Sequence, residues 1–179
     1  MGLQHAARTL IAVQRREVRE QILGNIEKQR RRFKADKFVA YFQSFTNTYA
    51  PIERLKILYD AALEAHPDIM GLAISTRPDC VDDEKLALIA SYQGPGRYIS
   101  VEYCMQTIHN RSLALVNRAE THEDFLHALA LTRKHNLDHC IHVILGMPGE
   151  SWDDQMETAD ALARLRVNGV KIHLLCAME

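Results

Sequence analysis

The sequence predicts an α/β protein, a parallel sheet with outer helices, either doubly wound or curled into a partial barrel. Three observations carry that prediction. Apolar runs rich in β-branched and aromatic residues alternate with stretches of helical periodicity. The runs begin near residues 38, 69, 98, 140 and 170, and three of the four steps are close to 30 residues, the size of a βαβ unit. The runs are also nearly continuous in apolar character, as expected of strands covered on both faces.

Taken in order, residues 8–36 read as one long basic helix. FVAYFQ (38–43) is the first strand. Residues 51–66 form a helix with Pro51 at its start and an apolar face of Ile52, Leu55, Leu58, Tyr59, Ala62 and Leu63. IMGLAIST (69–76) is a strand, and 82–92 a helix with acids in its first turn. YISVEYCMQT (98–107) is a third strand, followed by helical stretches over 110–117 and 121–135. The second of these opens on Thr121 with Asp124 three residues on, a capping-box signal. CIHVILG (140–146) precedes a helix over 151–166 with Ser151 as N-cap, and Asn168-Gly169 is expected to end that helix. VKIHLLC (170–176) is the fifth strand.

The chain has 179 residues, 47% of them hydrophobic and 25% charged, which excludes collagen-like, disordered and disulfide-stapled classes. No apolar run reaches the roughly 18 residues of a membrane span, and the opening MGLQHAARTL lacks a secretory h-region. A cytoplasmic protein with no membrane partner is the expectation. The net charge of −1 hides an asymmetry: residues 1–37 hold ten Lys/Arg against four Asp/Glu, so that segment carries +6 and the remainder −7. A basic helix docked on an acidic body accounts for this, and an RNA contact through basic residues 8–37 is the alternative. The four cysteines, Cys80, Cys104, Cys140 and Cys176, are too far apart for a CxxC motif.

In parallel α/β folds the ligand site gathers at the carboxyl ends of the strands. Gln43 to Thr48, Ser75 to Asp79, Gln106-Thr107 and Gly146-Met147-Pro148-Gly149-Glu150 all fall there. Glu102 lies inside an apolar strand, where a carboxylate costs several kcal/mol unless it is paired, so it belongs to a network or a site. His173 occupies a similar strand position. The glycines and proline of the 146–150 turn let backbone approach a ligand closely. His139 and His142 would point to opposite faces of a strand, so they do not form a metal pair. There is no P-loop and no GxGxxG.

Several segments together resemble the radical SAM superfamily, in particular its YhcC-like subfamily on the Elongator and oxygen-independent coproporphyrinogen oxidase side. They are REVREQI (16–22), YFQSFTNTYAP (41–51), GLAISTRPDC (71–80), VEYCMQTIHN (101–110), NRAETHEDF (117–125), HVILGMPGE (142–150) and GVKIHLL (169–175). The resemblance implies a partial (β/α)6 barrel with S-adenosylmethionine (SAM) across the carboxyl ends of the strands. It also implies a 4Fe–4S cluster that reduces SAM to a 5′-deoxyadenosyl radical. By position, Thr46 and Asn47 would meet the SAM amino group, Glu102 the ribose and Arg118 the carboxylate. Val143 to Glu150, with Gly146, Pro148, Gly149 and Glu150, would line adenine, and His173 would sit near adenine or substrate; Gln106, at the end of the third strand, is a further candidate cofactor-binding residue. The family's relatives acting on tRNA add weight to an RNA partner, while the substrate is not fixed by these motifs.

The departure lies at the cluster. The family's Cys-x3-Cys-x2-Cys should precede the VREQI segment, where this chain has MGLQHAARTLIAVQR and no cysteine. Residues 1–15 are therefore expected to be an atypical segment, and 16–179 a partial radical SAM core, truncated at its start and end. The resemblance also places the family's first strand upstream of 38–43, which would leave that strand on an edge.

Overall fold

The computed structural model describes residues 2–175, with side chains from Arg16 onward. Five strands pair in parallel in chain order: β1 (Phe38–Phe42), β2 (Ile69–Thr76), β3 (Tyr98–Gln106), β4 (Asp138–Leu145) and β5 (Gly169–Leu174). The helices are α1 (Gly2–Phe33), α2 (Ile52–Leu63), α3 (Asp83–Ala90), α4 (Asn110–Leu115), α5 (His122–Lys134) and α6 (Trp152–Leu165). A doubly wound sheet needs a point where the strand order reverses. Here the order never reverses, so right-handed crossovers keep the helices on one face. The sheet curls away from them. A flat five-stranded sheet would hold β1 and β5 about 19 Å apart at the usual strand spacing. Instead Lys171 on β5 donates to the Tyr41 hydroxyl on β1 at 2.7 Å. The architecture is a half-barrel.

The helix-facing side of the sheet holds the core. Leu72, Ile74, Val101, Tyr103, Met105 and Ile141 of the strands pack with Leu55, Tyr59, Leu86, Ile89, Phe125, Leu129 and Leu162 of the helices, all essentially excluded from water. The buried hydroxyls of Tyr103 and Thr132 satisfy one another at 2.6 Å. The opposite face corrects the expectation that the strands are apolar on both sides. It carries a polar set, with Tyr41, Ser75, Glu102, Cys104, His142, Lys171 and His173 linked by hydrogen bonds or ring contacts. Among the described residues no helix covers that face, because every crossover runs on the other.

Both expected capping boxes form: Thr121 with Asp124 at α5, and Ser151 with Asp154 at α6. Pro51 stands at the N-cap of α2 rather than inside it. The end of α6 differs from expectation. Arg166 closes it in a left-handed conformation (φ 52°), while Gly169 opens β5 and the Asn168 side chain accepts from the His139 backbone N–H at 3.2 Å. The Asn-Gly pair is spent on joining β4 and β5, not on the cap. Gly71 marks a register shift between β1 and β2; a Cβ there would lie 1.8 Å from the Tyr98 carbonyl oxygen, so only glycine fits.

The basic helix α1 docks on the body. Val18, Ile22 and Ile26, one stripe at four-residue spacing, turn toward the core, and Arg30 and Lys37 both reach Asp68 (2.7 and 3.0 Å). Lys28, Arg31 and Arg32 remain exposed. Strand β1 lies at an edge of the sheet among the described residues. No helix among them is long and apolar enough to cross a membrane.

Candidate functional site

The site is the concave face of the half-barrel and the loops at its carboxyl end. Strand alternation puts Glu102 and Cys104 on that face and sends Val101, Tyr103 and Met105 to the core. The Glu102 carboxylate, 13% exposed, accepts from the Tyr41 hydroxyl and from His142 Nε2, both at 2.7 Å on Oε2, with Lys171 Nζ at 3.9 Å. The network expected around Glu102 is therefore real, and it draws on β1, β4 and β5. Burial would raise the Glu102 pKa, but the bonds from His142 and Tyr41 outweigh it and hold the group below its usual range. The other ring nitrogen of His142 lies 3.8 Å from Cys104 Sγ. Burial works against its charge, yet the bonds to Cys104 and Glu102 push its pKa up to about 9. The His173 ring lies beside it, tilted by 54° with centroids 5.4 Å apart, its own pKa lowered by burial and by the charges of His142 and Lys171. His139 points to the opposite face, where its Nδ1 meets the Leu137 carbonyl at 3.2 Å, as strand geometry requires.

The loop after β1 is stitched to the end of β2. Asn47 Nδ2 donates to the carbonyls of Phe42 and Ser75 (both 2.9 Å), and the buried Thr48 hydroxyl meets Thr76 and the Cys80 carbonyl. Thr46 sits beside Asn47, its carbonyl accepting from the Tyr49 N–H. After β4, Gly146 (φ 84°) and Gly149 (φ 78°) hold conformations suited to glycine; Gly146, Pro148 and Gly149 are exposed, while Met147 between them is buried. Glu150 does not stand free, because Thr107 Oγ1 donates to it at 2.7 Å. Gln106 departs from the concave set. It adopts φ 71° and borders the groove between α6 and strands β4 and β5, with its buried Oε1 lacking a hydrogen-bond partner.

Arg118 is committed to a local pair. Its guanidinium bonds Glu120, whose side chain is 1% exposed, and donates to the Cys104 carbonyl at 2.9 Å. The second Glu120 oxygen lies 3.4 Å from Arg77 Nε. The concave face thus brings together Glu102 and His173, with Thr46, Asn47 and the 146–150 turn on the rim loops. Gln106 faces elsewhere, and Arg118 is pinned beside β3. Sequence reasoning placed Ser75 at the rim but missed Tyr41, His142 and Lys171 as partners of Glu102. The polar residue inside an apolar run, the signal that singled out Glu102, was also present at His142 and Lys171.

A five-stranded parallel half-barrel with a polar concave face and a glycine turn at its carboxyl rim is a scaffold that presents a ligand site at the strand ends, and the comparisons give its family. The sequence profile of the Radical SAM superfamily matches residues 6–162. The uncharacterised protein MJ0486 of Methanocaldococcus jannaschii is 40% identical over 163 residues, covering 90% of this chain and 50% of its own. Protein YhcC of Escherichia coli is 33% identical over 164 residues, covering 92% of this chain and 52% of its own. The solved structure of the archaeal Elp3 of Methanocaldococcus infernus superposes with a TM-score of 0.74 at 21% identity, over 93% of this chain and 42% of that one. The chain belongs to the radical SAM superfamily, as a YhcC-like member. It spans about half the length of the curated relatives it matches.

SAM and a 4Fe–4S cluster are the cofactors of this family, and the two fit this chain differently. The rim loops and concave face offer the hydrogen-bonding edges and close-approach glycines that a nucleoside ligand needs. The thiols do not suit a cluster. Of the described cysteines, Cys80 sits in a 3₁₀ turn beside Asp79, while Cys104 and Cys140 lie on adjacent strands, all three as free thiols. Three thiolates do not converge, and no cysteine precedes Cys80 in the sequence. Cys176 lies outside the described residues.

Proposed function

We propose that this chain is a SAM-binding radical SAM core whose own thiols do not support reductive cleavage of the ligand. The observation that carries the reading is the concave network centred on Glu102, set below a glycine turn, with no three convergent cysteines among the described residues. In this reading Glu102 meets the ribose hydroxyls, for which a carboxylate is a good acceptor. Thr46 and Asn47 face the amino group, and Gly146, Pro148, Gly149 and Glu150 line adenine, while Gln106, turned into the groove beside α6, takes no part. His173 lies near adenine or substrate. Arg118 pairs with the SAM carboxylate only by sharing its guanidinium with Glu120. Residues 16–179 form the core, residues 1–15 an atypical segment, and the protein acts in the cytoplasm.

Titration calorimetry of the chain with SAM tests this, together with iron analysis after anaerobic reconstitution and a search for 5′-deoxyadenosine under reducing conditions. Binding of SAM without cluster-level iron and without 5′-deoxyadenosine is expected. No heat with SAM would refute the binding, and reductant-dependent 5′-deoxyadenosine would refute the inactivity.

A second reading, an RNA contact, is favoured by the exposed Lys28, Arg31 and Arg32 at the end of α1. It predicts retardation of tRNA that weakens steeply with salt. Unretarded tRNA at low salt would remove it.

A further inference from the structure

The SAM reading uses Glu102 but gives no role to the thiol and imidazole beside it. Cys104 on β3 and His142 on β4 each follow the Tyr103–Ile141 pair, where the register between the two strands shifts, and Glu102 stands two residues before Cys104 on the same face. His142 bridges the two: Nδ1 lies 3.8 Å from the sulfur and Nε2 lies 2.7 Å from the carboxylate. A thiol, an imidazole within reach and a carboxylate orienting that imidazole form the constellation that activates a nucleophile. The Ser75 hydroxyl adds a contact to the sulfur at 3.4 Å.

We propose that Cys104, paired with His142 and oriented through Glu102, is a nucleophilic thiolate that captures small-molecule disulfides. The thiolate attacks one sulfur of the disulfide. A new S–S bond forms as the old one breaks, and the leaving thiolate takes the Nδ1 proton of His142. The disulfide is itself the oxidant, so no further reactant is required. The site needs neither SAM nor a cluster.

His142 and Ser75 contact the sulfur itself, and the remaining charged and titratable groups surround its partners. Arg118 donates to the Cys104 carbonyl from the loop after α4. Lys171 and His173 approach from β5, Tyr41 from β1, and Cys140 lies on β4 beside Glu102. Burial would raise the Cys104 pKa, but His142, Ser75 and Arg118 together bring it below that of an ordinary thiol. The other described thiols go the other way. Burial pushes Cys140 up, and burial with the Asp79 charge pushes Cys80 up. The three cysteines therefore provide an internal comparison.

The test pulses the native full chain with iodoacetamide between pH 5 and 10 and follows each cysteine by peptide mass spectrometry. At pH 7 Cys104 should react about ten-fold faster than Cys140 or Cys80, since an ordinary thiol is only a few per cent ionised there. His142→Asn should return the Cys104 midpoint to the ordinary thiol range and remove most of that advantage. Glu102→Gln should do so in part, and the wild-type comparison stands even if either variant fails to fold. Incubation with oxidised glutathione should then place one glutathionyl group on Cys104. Equal rates at Cys104 and Cys140, or a folded His142→Asn chain with an unchanged pH profile, would overturn the thiolate. Fast alkylation without a mixed disulfide would overturn the substrate class.

Discussion

Replacing Arg118 by Met separates what that residue does for the fold from what it does for a ligand. Glu120 is 1% exposed at its side chain and depends on Arg118, with Arg77 Nε at 3.4 Å as its remaining cation. Removing one partner of a buried ion pair costs about 3–5 kcal/mol, because the other charge is left without compensation. Arg77 retains part of that compensation, while the bond from Arg118 to the Cys104 carbonyl is lost as well. A loss of about 2–4 kcal/mol follows for Arg118→Met. Replacing both partners, Arg118→Met with Glu120→Leu, removes the stranded charge and should recover most of that loss, since buried pairs are often replaceable by apolar residues of similar size. Urea unfolding at pH 7, followed by far-UV circular dichroism, reads both numbers from the midpoint at unchanged slope. A single variant costing under about 1 kcal/mol, or a double variant no more stable than the single, would refute the assignment of Arg118 to Glu120. If the stable double variant also loses SAM heat in calorimetry, Arg118 serves the ligand too.

Other consequences are equally concrete. Gly71→Ala drives a methyl into the Tyr98 carbonyl and should abolish the soluble fold, whereas Gly24→Ala on α1, with nothing within 4 Å, should stabilise by about 0.5–1 kcal/mol; paired thermal melts check both. Thr121→Ala and Ser151→Ala each remove a capping box and should cost about 1 kcal/mol in urea unfolding. Arg30 and Lys37 hold the Asp68 pKa down to about 2, so its contribution is present above the ordinary carboxylate pKa near 4 and fades as pH falls toward 2. Unfolding measured at pH 5 and pH 2.5 should show a larger acid loss in the wild type than in Asp68→Asn, and equal losses would sink the docking role of that cluster.

The local parts of the fold were legible because local chemistry writes them. The two capping boxes follow from Thr121 with Asp124 and Ser151 with Asp154, and all five strands begin within about two residues of where the apolar runs start. Periodicity alone could not separate half-barrel from doubly wound sheet, because strand order is not encoded in any single segment; the family resemblance pointed to the partial barrel, and the sheet has that form. Tyr41 and Lys171 meet across 130 residues of chain, and nothing in either run announces the contact. The polar concave face was hidden for a related reason: Tyr41 and Cys104 pass as apolar within a run, and only the fold shows which side they take. Glu102 was legible because a lone carboxylate in such a run demands partners. The engagement of Arg118 by Glu120 was not, since two adjacent charges in a loop carry no sign of burial.

The alternation along β3 and β4 has a consequence for how such a protein can change. Val101, Tyr103 and Ile141 build the core, and the residues between them, Glu102, Cys104 and His142, line the concavity. Chemistry and packing occupy interleaved letters of the same words. Substitution can therefore rewrite one without disturbing the other, so a lineage can drift through new ligands on a constant frame. Insertion or deletion of a single residue within a strand has no such freedom. It would turn Tyr103 into the concavity and Glu102 into the helix layer at one stroke, ending both stability and function together.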